Sequence, residues 1–454
     1  MRQPGITLAY AAVLYTQGMR ILVVATKPPW PACDGGRLVL WHSLCGLAQA
    51  GHEIRLIAPA PAGGAAEHDG GGLAAIGGAA GAGTDVAAGV GVYAGAGPGT
   101  RTSVAAAIGT SADTSLETTS LAMLSTVCDP QLIPVPARSW PAAAAAALRS
   151  GRALSVARHH HAALEQAVAD TVQDWRPDLV HAEQLQALAN AAPARRAGVP
   201  AVLRMQNVES SLWQHVSTAR IAAWPLRLEA QRLRRDEARA LQSATRTLTL
   251  TARDAAALAP LAAPQRVCAV APAFPGELPP GTALETAPVV CVAGSGGWWP
   301  NRQALDWLLA GVAPRLAAAG LPLHVFGSSP RPLPGVRWHA APADAAAAFP
   351  AGAIAAIPLL IGSGLRMRLL EAWARGLPAV ASSVAAAGLD VTHGREVLIA
   401  DTPADFAAAL LQLATQPQLA ASLVRGGRAY LRQHHDPLLC TQALLREYEQ
   451  ALAD

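Results

Sequence analysis

The chain has 454 residues, of which 52% are hydrophobic and 15% are charged, and its formal net charge is +4. This length predicts two domains, and the mild charge argues against a nucleic-acid-binding protein. No apolar run is long enough to cross a bilayer.

Lysine and cysteine usage limit the chemistry further. Lys27 is the only lysine among 35 basic residues, which indicates a coding bias and predicts arginine wherever a related sequence would use lysine. The six cysteines lack the close spacing of a zinc site, so we interpret them as small core residues of a reducing compartment. We expect neither a metal nor a cofactor.

The first 18 residues combine one arginine with a short apolar stretch. This composition is typical of a signal peptide, but the small-residue cleavage site is poor. We interpret Met19 as the true start and residues 1–18 as a non-native extension, with a signal peptide as the alternative.

Short apolar runs alternate with longer helical patterns from residue 19 onward. Uniformly apolar runs are typical of parallel strands that are buried on both faces, and the helices between them predict right-handed crossovers. The predicted fold class is therefore α/β, with two facing Rossmann-like doubly wound domains and a ligand cleft between them. The predicted strands are residues 21–25, 54–58, 178–181, 201–205, 247–251, 267–271, 289–293, 323–326, 354–358, 379–381 and 397–400.

A domain boundary is predicted at residues 275–288, whose prolines and glycines favour a hinge-like linker. It separates an N-terminal domain, residues 19–274, from a C-terminal domain, residues 289–454. Residues 62–112 are dominated by Ala, Gly and Thr. We interpret them as an insertion and assign them no chemistry.

The first predicted strand leads through a proline-rich loop to Gly35 and Gly36, which open a helix. Glycines at this place allow backbone N–H groups to approach an anionic or hydroxylated ligand at the positive end of the helix. A plain strand-to-helix turn is the alternative. The spacing is not GxGxxG, so a dinucleotide fingerprint is not indicated.

Polar residues follow two neighbouring strands at the edge of the sheet that faces the predicted cleft. They are His181, Glu183, Gln206, Asn207 and Glu209. Because two adjacent strand ends carry such clusters, we favour a binding site over helix capping by Asn207 or Ser210.

A further glycine-rich turn follows the first strand of the C-terminal domain. Its small residues Gly294 and Ser295 would allow a ligand to approach closely, and Asn301 lies where it would cap the next helix. A flexible turn with a good cap is the alternative.

The stretch IGSGLRMRLLEAWARGLPAV, residues 361–380, predicts a loop and then a helix from about Leu365 to Gly376. Leu365, Leu369 and Trp373 recur at four-residue spacing and form a predicted buried stripe. Three small loop residues would offer backbone N–H groups to a phosphate, and these are Gly362, Ser363 and Gly364.

Two arginines, Arg366 and Arg368, stand at the start of this helix, where they oppose the helix dipole. Stability alone would not select them, and a bound anion would remove the conflict. The alternative is a surface helix with salt bridges among Arg368, Glu371 and Arg375.

Residues 224–246 form an arginine-rich amphipathic segment. Such a segment can lie against anionic lipid headgroups. Because acidic residues are interleaved with the arginines, we favour a solvated charged helix.

Together these motifs resemble family-4 (group 1) glycosyltransferases of GT-B fold, of the bacterial exopolysaccharide or lipopolysaccharide type. The resemblance spans nearly the whole chain from Met19, apart from residues 62–112. The segments that carry it are PDLVHAE, RMQNVES, GSGGWWPN, PLLIGSGLRMRLLEAWARGLPAV and AAAGLDVTHGREVLIAD.

The resemblance implies a retaining hexosyltransferase that needs no metal. Its donor would be a nucleoside-diphosphate sugar, and its acceptor a glycan or a polyprenyl-linked glycan. Glu371 would hydrogen-bond the ribose hydroxyls, and Arg368, at the family's usual lysine position, would bind the diphosphate with help from Arg366. Gly35 and Gly36 would lie near the diphosphate and acceptor. A cytoplasmic location is implied, with peripheral contact at the inner face of the cell membrane.

Two residues depart from the family pattern. Ser363 stands where many members have a carboxylate, eight positions before Glu371, and Gln206 stands where related sequences have histidine. Because glutamine cannot shuttle a proton, the leaving phosphate would have to accept the proton of the acceptor. A catalytically degenerate nucleotide-sugar-binding protein and a nucleotide-sugar epimerase are the alternatives.

Overall fold

The computed structural model describes the chain in nine ranges. The predicted extension lies outside these ranges except for residue 18, and the predicted insertion, Gly294 and Ser295 also lie outside them. The described ranges are residues 18–60, 120–136, 138–218, 224–263, 266–284, 289–292, 299–327, 333–342 and 345–454.

The first sheet has seven strands: β1 (Arg20–Ala25), β2 (Glu53–Pro59), β3 (Asp129–Ile133), β4 (Leu179–Glu183), β5 (Ala201–Met205), β6 (Arg246–Thr249) and β7 (Val267–Ala269). Their order is β3-β2-β1-β4-β5-β6-β7, and neighbouring strands run parallel. The chain reverses its winding direction between β1 and β4, so a crevice opens at the carboxyl ends of these strands.

The second sheet has six strands: β8 (Val289–Val292), β9 (Leu323–Phe326), β10 (Val336–His339), β11 (Ile354–Ile357), β12 (Ala379–Ala381) and β13 (Leu398–Ile399). Their order is β10-β9-β8-β11-β12-β13, again parallel throughout. The two parallel sheets with their helices confirm the predicted α/β class and its two Rossmann-like units.

Helices cover both sheets. They are α1 (Gly35–Gln49), α2 (Trp140–Ser150), α3 (Leu154–His159), α4 (Ala162–Trp175), α5 (Ala187–Asn190), α6 (Ala192–Arg196), α7 (Glu209–Thr218), α8 (Trp224–Ser243), α9 (Ala252–Leu258), α10 (Trp299–Trp307), α11 (Ala313–Ala318), α12 (Met367–Ala374), α13 (Ser383–Ala386), α14 (Pro403–Thr415), α15 (Pro417–His434) and α16 (Pro437–Ala453). None of the helices in the described ranges combines the length and apolar character needed to cross a bilayer.

Eleven of the thirteen strands overlap the predicted apolar runs, with ends that differ by at most two residues. The two that the sequence did not predict, β3 and β10, are the outer strands at one end of each sheet. Their residues are half-buried or exposed, and several are polar. An outer strand packs on fewer neighbours, so it lacks the continuous apolar signal of the inner ones.

The last helix returns to the first domain. The α16 residues Leu444, Leu445 and Tyr448 lie in the same buried cluster as the odd-numbered residues of β1. Part of residues 289–454, predicted as one C-terminal domain, thus packs in the core of the N-terminal one.

The described part of the predicted linker lies along the second domain. The backbone N–H of Leu278 donates to the carbonyl of Ala374 (2.9 Å), and that of Gly281 donates to the carbonyl of Phe349 (2.9 Å). This segment is therefore held by hydrogen bonds over residues 278–281.

Candidate active site

The loop after β5 meets the glycine-rich loop of the second domain. The backbone N–H of Val208 donates to Oγ of Ser363 (3.1 Å). With its amide nitrogen turned toward the loop, Asn207 donates to the carbonyl of Ser363 (2.8 Å). Gly364 has φ +77°, and an added Cβ would overlap the carbonyl oxygen of Gln206. Glycine is therefore required for this close approach.

The start of α1 completes the junction. Asp34 caps the helix by accepting from the backbone N–H of Arg37 (2.9 Å). A Cβ added at Gly35 would lie 3.1 Å from Cγ of Met367. A Cβ added at Gly36 would lie 2.6 Å from Oε1 of Gln206. The predicted glycines thus bring the backbone of α1 against both the β5 end and the first residue of α12.

A buried polar network forms the floor of this junction. Glu183 and Arg204 are 3% and 2% exposed, and Nε of Arg204 donates to Oε2 of Glu183 (2.9 Å). Gln206 donates to Oε1 of Glu183 (2.8 Å) and to the carbonyl of Gly36 (3.2 Å). Burial alone would raise the pKa of Glu183, but the Arg204 guanidinium outweighs it and holds the pKa at about 2. The amide of Gln206 is thereby fixed in orientation.

His181, predicted to contact a substrate, lies beneath this network and away from the surface. Its side chain is 1% exposed, and Nδ1 is 2.7 Å from the hydroxyl of Tyr448 on α16. It shares a strand face with Glu183, two residues away, and its Nε2 is 3.2 Å from that carboxylate. Burial lowers the pKa of His181, against the opposing effect of the hydrogen bond that Nε2 donates to the Glu183 carboxylate. We interpret His181 as a support for Glu183.

Gln184, which the sequence did not single out, lies directly above the floor. Its φ is +74°, a left-handed value that non-glycine residues seldom adopt. Its side chain accepts from the hydroxyl of Thr26 (2.8 Å) and donates to Oε1 of Gln206 (3.1 Å). Strained residues of this kind cluster at functional sites.

A small pocket opens at the carboxyl ends of β1 and β4, and we call it the β1–β4 pocket. Nζ of Lys27 lies 2.8 Å from Oδ2 of Asp34, and Nε of Arg37 lies 3.2 Å from the same oxygen. The sequence singled out Gly36, Glu183 and Gln206 of this pocket, but not the Lys27–Asp34 pair. The pocket is lined by Ala25, Thr26, Lys27, Pro29, Gly36, Arg37, Leu40, Glu183, Gln184 and Gln206.

The start of α12 lies on the second-domain side of the junction, and this helix begins two residues later than predicted. Arg366 is its N-cap and donates from Nη2 to the carbonyl of Ser363. An added Cβ at Gly362 would lie 2.5 Å from that nitrogen, so glycine makes room for the guanidinium. Burial lowers the pKa of Arg366 to about 10; Asp254 opposes this shift, and the nearby positive charge of Arg368 adds to it. Arg366 therefore carries charge at neutral pH.

Glu371 is buried, which corrects the alternative of a surface salt-bridged helix. It is 6% exposed. Its Oε1 accepts from Nε (3.2 Å) and Nη2 (3.1 Å) of Arg375, whose side chain is 0% exposed. Arg375 also donates to the carbonyl of Pro279. This ion pair fixes the direction of the Glu371 carboxylate.

The rest of α12 follows the prediction. Leu369 and Trp373 are fully buried, and Leu365 packs on the same cluster. The helix ends before Gly376, whose φ is +76°. The backbone N–H of Leu377 donates to the carbonyl of Ala372 (2.8 Å) and so caps the end of the helix.

Glu209 opens α7, but neither Asn207 nor Ser210 caps that helix. The backbone N–H and hydroxyl of Ser210 both donate to Glu237 of α8 (3.0 and 2.6 Å), which supplies the cap from another helix. Burial and then the negative charge of Glu237 raise the pKa of Glu209 to about 7, and a hydrogen bond from Gln186 opposes the shift.

Asn301 is not a helix cap, because α10 begins two residues earlier at Trp299. It lies half-buried in the first turn. The neighbouring Gly294 and Ser295, predicted to bind substrate, fall outside the described residues. Within the described ranges, no group of His, Cys, Asp or Glu could hold a metal ion.

Comparisons with known proteins bear on this geometry. Residues 287–416, which include the glycine-rich loop and α12, match the family model "Glycosyl transferases group 1". No curated protein sequence matches the chain.

Three solved structures are similar in fold. Sucrose-phosphate synthase from Thermosynechococcus elongatus has a TM-score of 0.63 at 13% identity, over 96% of this chain and 100% of that one. HepE from Anabaena in complex with UDP-glucose has a TM-score of 0.58 at 12% identity, over 95% and 100%. A glycosyltransferase from Rickettsia africae has a TM-score of 0.52 at 8% identity, over 96% and 99%. The chain therefore has the GT-B fold and carries a group 1 glycosyltransferase domain.

Proposed function

We propose that this protein is a retaining glycosyltransferase that moves a hexose from a nucleoside-diphosphate sugar to a glycan or polyprenyl-linked glycan. The supporting observation is the meeting of the α1 start, the β5–α7 loop and the cationic α12 start at one junction. The complex of HepE with UDP-glucose makes UDP-sugars the first donors to test.

The donor diphosphate would lie at the start of α12. Arg366 and Arg368 bring two positive charges to the start of α12, where charge-assisted hydrogen bonds to a diphosphate would be strong. They would stabilise the leaving diphosphate electrostatically, so we propose that transfer needs no metal. Glu371, held by Arg375, would accept hydrogen bonds from the ribose hydroxyls.

The transfer step breaks the bond between the sugar C1 and the diphosphate oxygen. A bond forms between C1 and the acceptor oxygen on the same face, and the acceptor proton passes to the leaving phosphate. Gln206 cannot take that proton, because its amide has no basic group and its nitrogen donates to Glu183 and Gly36. The phosphate is therefore the base in this proposal.

A donor panel tests the proposal. Purified protein is incubated with UDP-, GDP- and ADP-sugars and mixed glycan acceptors, and release of nucleoside diphosphate is followed. We expect release with one base and a defined anomeric product. The absence of both binding and turnover with every donor would contradict the proposal.

A catalytically degenerate binding protein is the second candidate, and one contact favours it. Ser363, which replaces the family's carboxylate, is engaged with the backbone of Val208. Donor binding by calorimetry without turnover in any acceptor mixture would support this candidate. A nucleotide-sugar epimerase, the third alternative, would convert the donor sugar without any acceptor, which product analysis detects.

We also propose peripheral contact with the inner face of the cell membrane through α8. Three carboxylates of α8 are turned inward, and two of them accept backbone N–H bonds at the start of α3: Asp236 from Ala153 (2.6 Å) and Glu229 from Leu154. The third, Glu237, is 0% exposed. The charged side chains on the exposed side of α8 are therefore arginines, and this surface is positive. The sequence had predicted a surface on which acidic and basic residues alternate. These arginines are Arg227, Arg234, Arg235 and Arg239.

Vesicle flotation tests this contact. We expect binding to vesicles with 30% anionic phosphatidylglycerol, weakened by salt, and little binding to neutral phosphatidylcholine. Replacing the four exposed arginines by glutamine should abolish it. Equal flotation of the variant would remove α8 from the contact.

A further inference from the structure

We propose that Asp254, in the first turn of α9, is a positioning residue for Arg366 of the second domain. Its carboxylate attracts the Arg366 guanidinium across the domain boundary and so holds the glycine-rich loop, residues 362–364, in the form that receives the donor diphosphate. This inference rests on the proposed transferase function and adds a residue of the first domain to the donor site. Asp254 lies outside residues 287–416, which match the family model.

The first observation is that two helices begin with the same cap, but only one of the two caps is buried. The hydroxyl of Thr251 donates to Oδ2 of Asp254 (2.7 Å) and accepts from its backbone N–H (3.1 Å). Thr402 and Asp405 form the same two bonds at the start of α14. The α14 pair is exposed, whereas Thr251 and Asp254 are 4% and 5% exposed. Helix capping therefore does not require the burial of Asp254.

A buried carboxylate is costly unless an opposite charge lies near it. The second domain supplies that charge. Burial lowers the pKa of Arg366, and the negative charge of Asp254 opposes this shift. The two groups come from different domains and stabilise each other's charged form.

The second observation is that the segments carrying the two residues lie together. A Cβ added at Gly388, just after α13, would lie 2.9 Å from the carbonyl oxygen of Gly364 and 3.1 Å from Cγ2 of Thr251. Leu250, which precedes this threonine, belongs to the same buried cluster as Met367 of α12. The start of α9 is therefore packed beside the glycine-rich loop.

The third observation is that Arg366 lies against the backbone of that loop. Its Nη2 donates to the carbonyl of Ser363, and a Cβ added at Gly362 would lie 2.5 Å from the same nitrogen. A guanidinium held by Asp254 on one side therefore fixes the loop on the other. Without the charge of Asp254, we expect the loop to open more often and to bind the donor less well.

Hydrogen–deuterium exchange of the full chain without any ligand tests the proposal. The variant is Asp254→Asn, which removes the charge and keeps a side-chain oxygen for the Thr251 hydroxyl. We expect the amides of residues 362–366 to exchange faster than in the parent by about fivefold or more. The matched control is Asp405→Asn, at the exposed cap of α14, which should leave exchange in this loop unchanged. A capping role alone would speed exchange at residues 252–258 only, and this result would overturn the proposal.

Calorimetric titration with UDP, GDP and ADP gives the second measurement. We expect Asp254→Asn to bind the preferred nucleotide about fivefold more weakly than the parent, and Asp405→Asn to bind it equally well. Equal or tighter binding by Asp254→Asn would also overturn the proposal. A parent protein that binds none of the three nucleotides would contradict the transferase function, and the exchange comparison would still decide whether Asp254 holds the loop.

Thermal unfolding shows whether each variant is folded. If Asp254→Asn is not, the test is Asp254→Asn combined with Arg366→Gln, which removes both charges. Recovery of a cooperative unfolding transition in the double variant would support the pair, because it removes the uncompensated charge. No recovery would overturn it.

Discussion

In the N-terminal half of the candidate site, the buried Glu183 carboxylate is neutralised by Arg204 and hydrogen-bonded by Gln206. In the C-terminal half, Arg366 and Arg368 bring two like charges to the start of one helix. The charges of the first half are paired with each other, whereas the two arginines of the second lie where our proposal places the donor diphosphate. A residue of the first half should therefore affect mainly stability, and a residue of the second mainly binding.

The largest expected effect is on the floor of the first half. Arg204→Met leaves the Glu183 carboxylate buried without its partner, so we expect the free energy of unfolding to fall by about 3–5 kcal/mol. Urea denaturation at pH 7 measures it. The matched variant is Arg204→Met with Glu183→Leu, which removes both charges and should recover most of the loss. A loss below about 1 kcal/mol in the single variant would show that pairing with Arg204 is not what keeps the buried Glu183 carboxylate stable.

The second half should behave in the opposite way. Arg368→Ala removes one of two like charges and a charge-assisted contact to the diphosphate, so we expect donor binding to weaken by about 1–3 kcal/mol. The free energy of unfolding should fall less than in Arg204→Met. Calorimetry with the nucleotide sugar measures the first quantity, and Arg368→Lys, which keeps the charge, is the control. Equal donor affinity in Arg368→Ala would remove this residue from the site.

Two buried carboxyl groups of the first half differ in pKa. The pKa of Glu209 is raised to about 7, whereas that of Glu183 is lowered to about 2. The folded state keeps a proton on Glu209 between its ordinary pKa of 4.5 and about 7, whereas the unfolded chain releases it. Stability from this group is therefore full below that window and declines as the pH rises through it.

Glu209→Gln should remove this dependence. We expect it to match the parent near pH 4.5 and to exceed its free energy of unfolding by about 1–2 kcal/mol at pH 8, after discounting for partial exposure. Denaturation curves at pH 5, 6, 7 and 8 check the trend. A difference that does not change with pH would contradict the raised pKa.

The smallest effect concerns the contact between the halves. Ser363→Ala removes the hydroxyl that accepts from the N–H of Val208, so we expect a loss of about 0.5–1.5 kcal/mol in the free energy of unfolding. The exposed Ser383→Ala on the same domain is the control. If both variants unfold alike, Ser363 does not join the halves.

The sheets were predictable because most inner parallel strands carry continuous apolar runs, such as β11 and β12. The junction was predictable in outline, since Gly36 and Gln206 follow strands of the first sheet and Ser363 follows a strand of the second, each at the carboxyl end where ligands bind in such sheets. Partners that come from far along the chain were not. Tyr448 contacts His181 across 267 residues, and no local pattern indicates this burial.

Helix periodicity likewise could not show which charges are buried. Arg375 shares a helix face with Glu371, so the spacing predicts a surface pair, but the carbonyl of Pro279 and the ring of Phe349 lie against Arg375. On α8 the interleaved carboxylates turned inward because they cap two other helices, α3 and α7. Both outcomes depend on tertiary neighbours that the sequence does not name.

Release of nucleoside diphosphate from a matched donor and acceptor tests the central claim most directly. We expect the parent protein to release it, with transfer of the sugar to the acceptor and retention at C1, and Arg368→Ala to show a reduced rate at limiting donor. A protein that binds a nucleotide sugar tightly and yet never releases the diphosphate, with any acceptor, would contradict the assignment as a transferase.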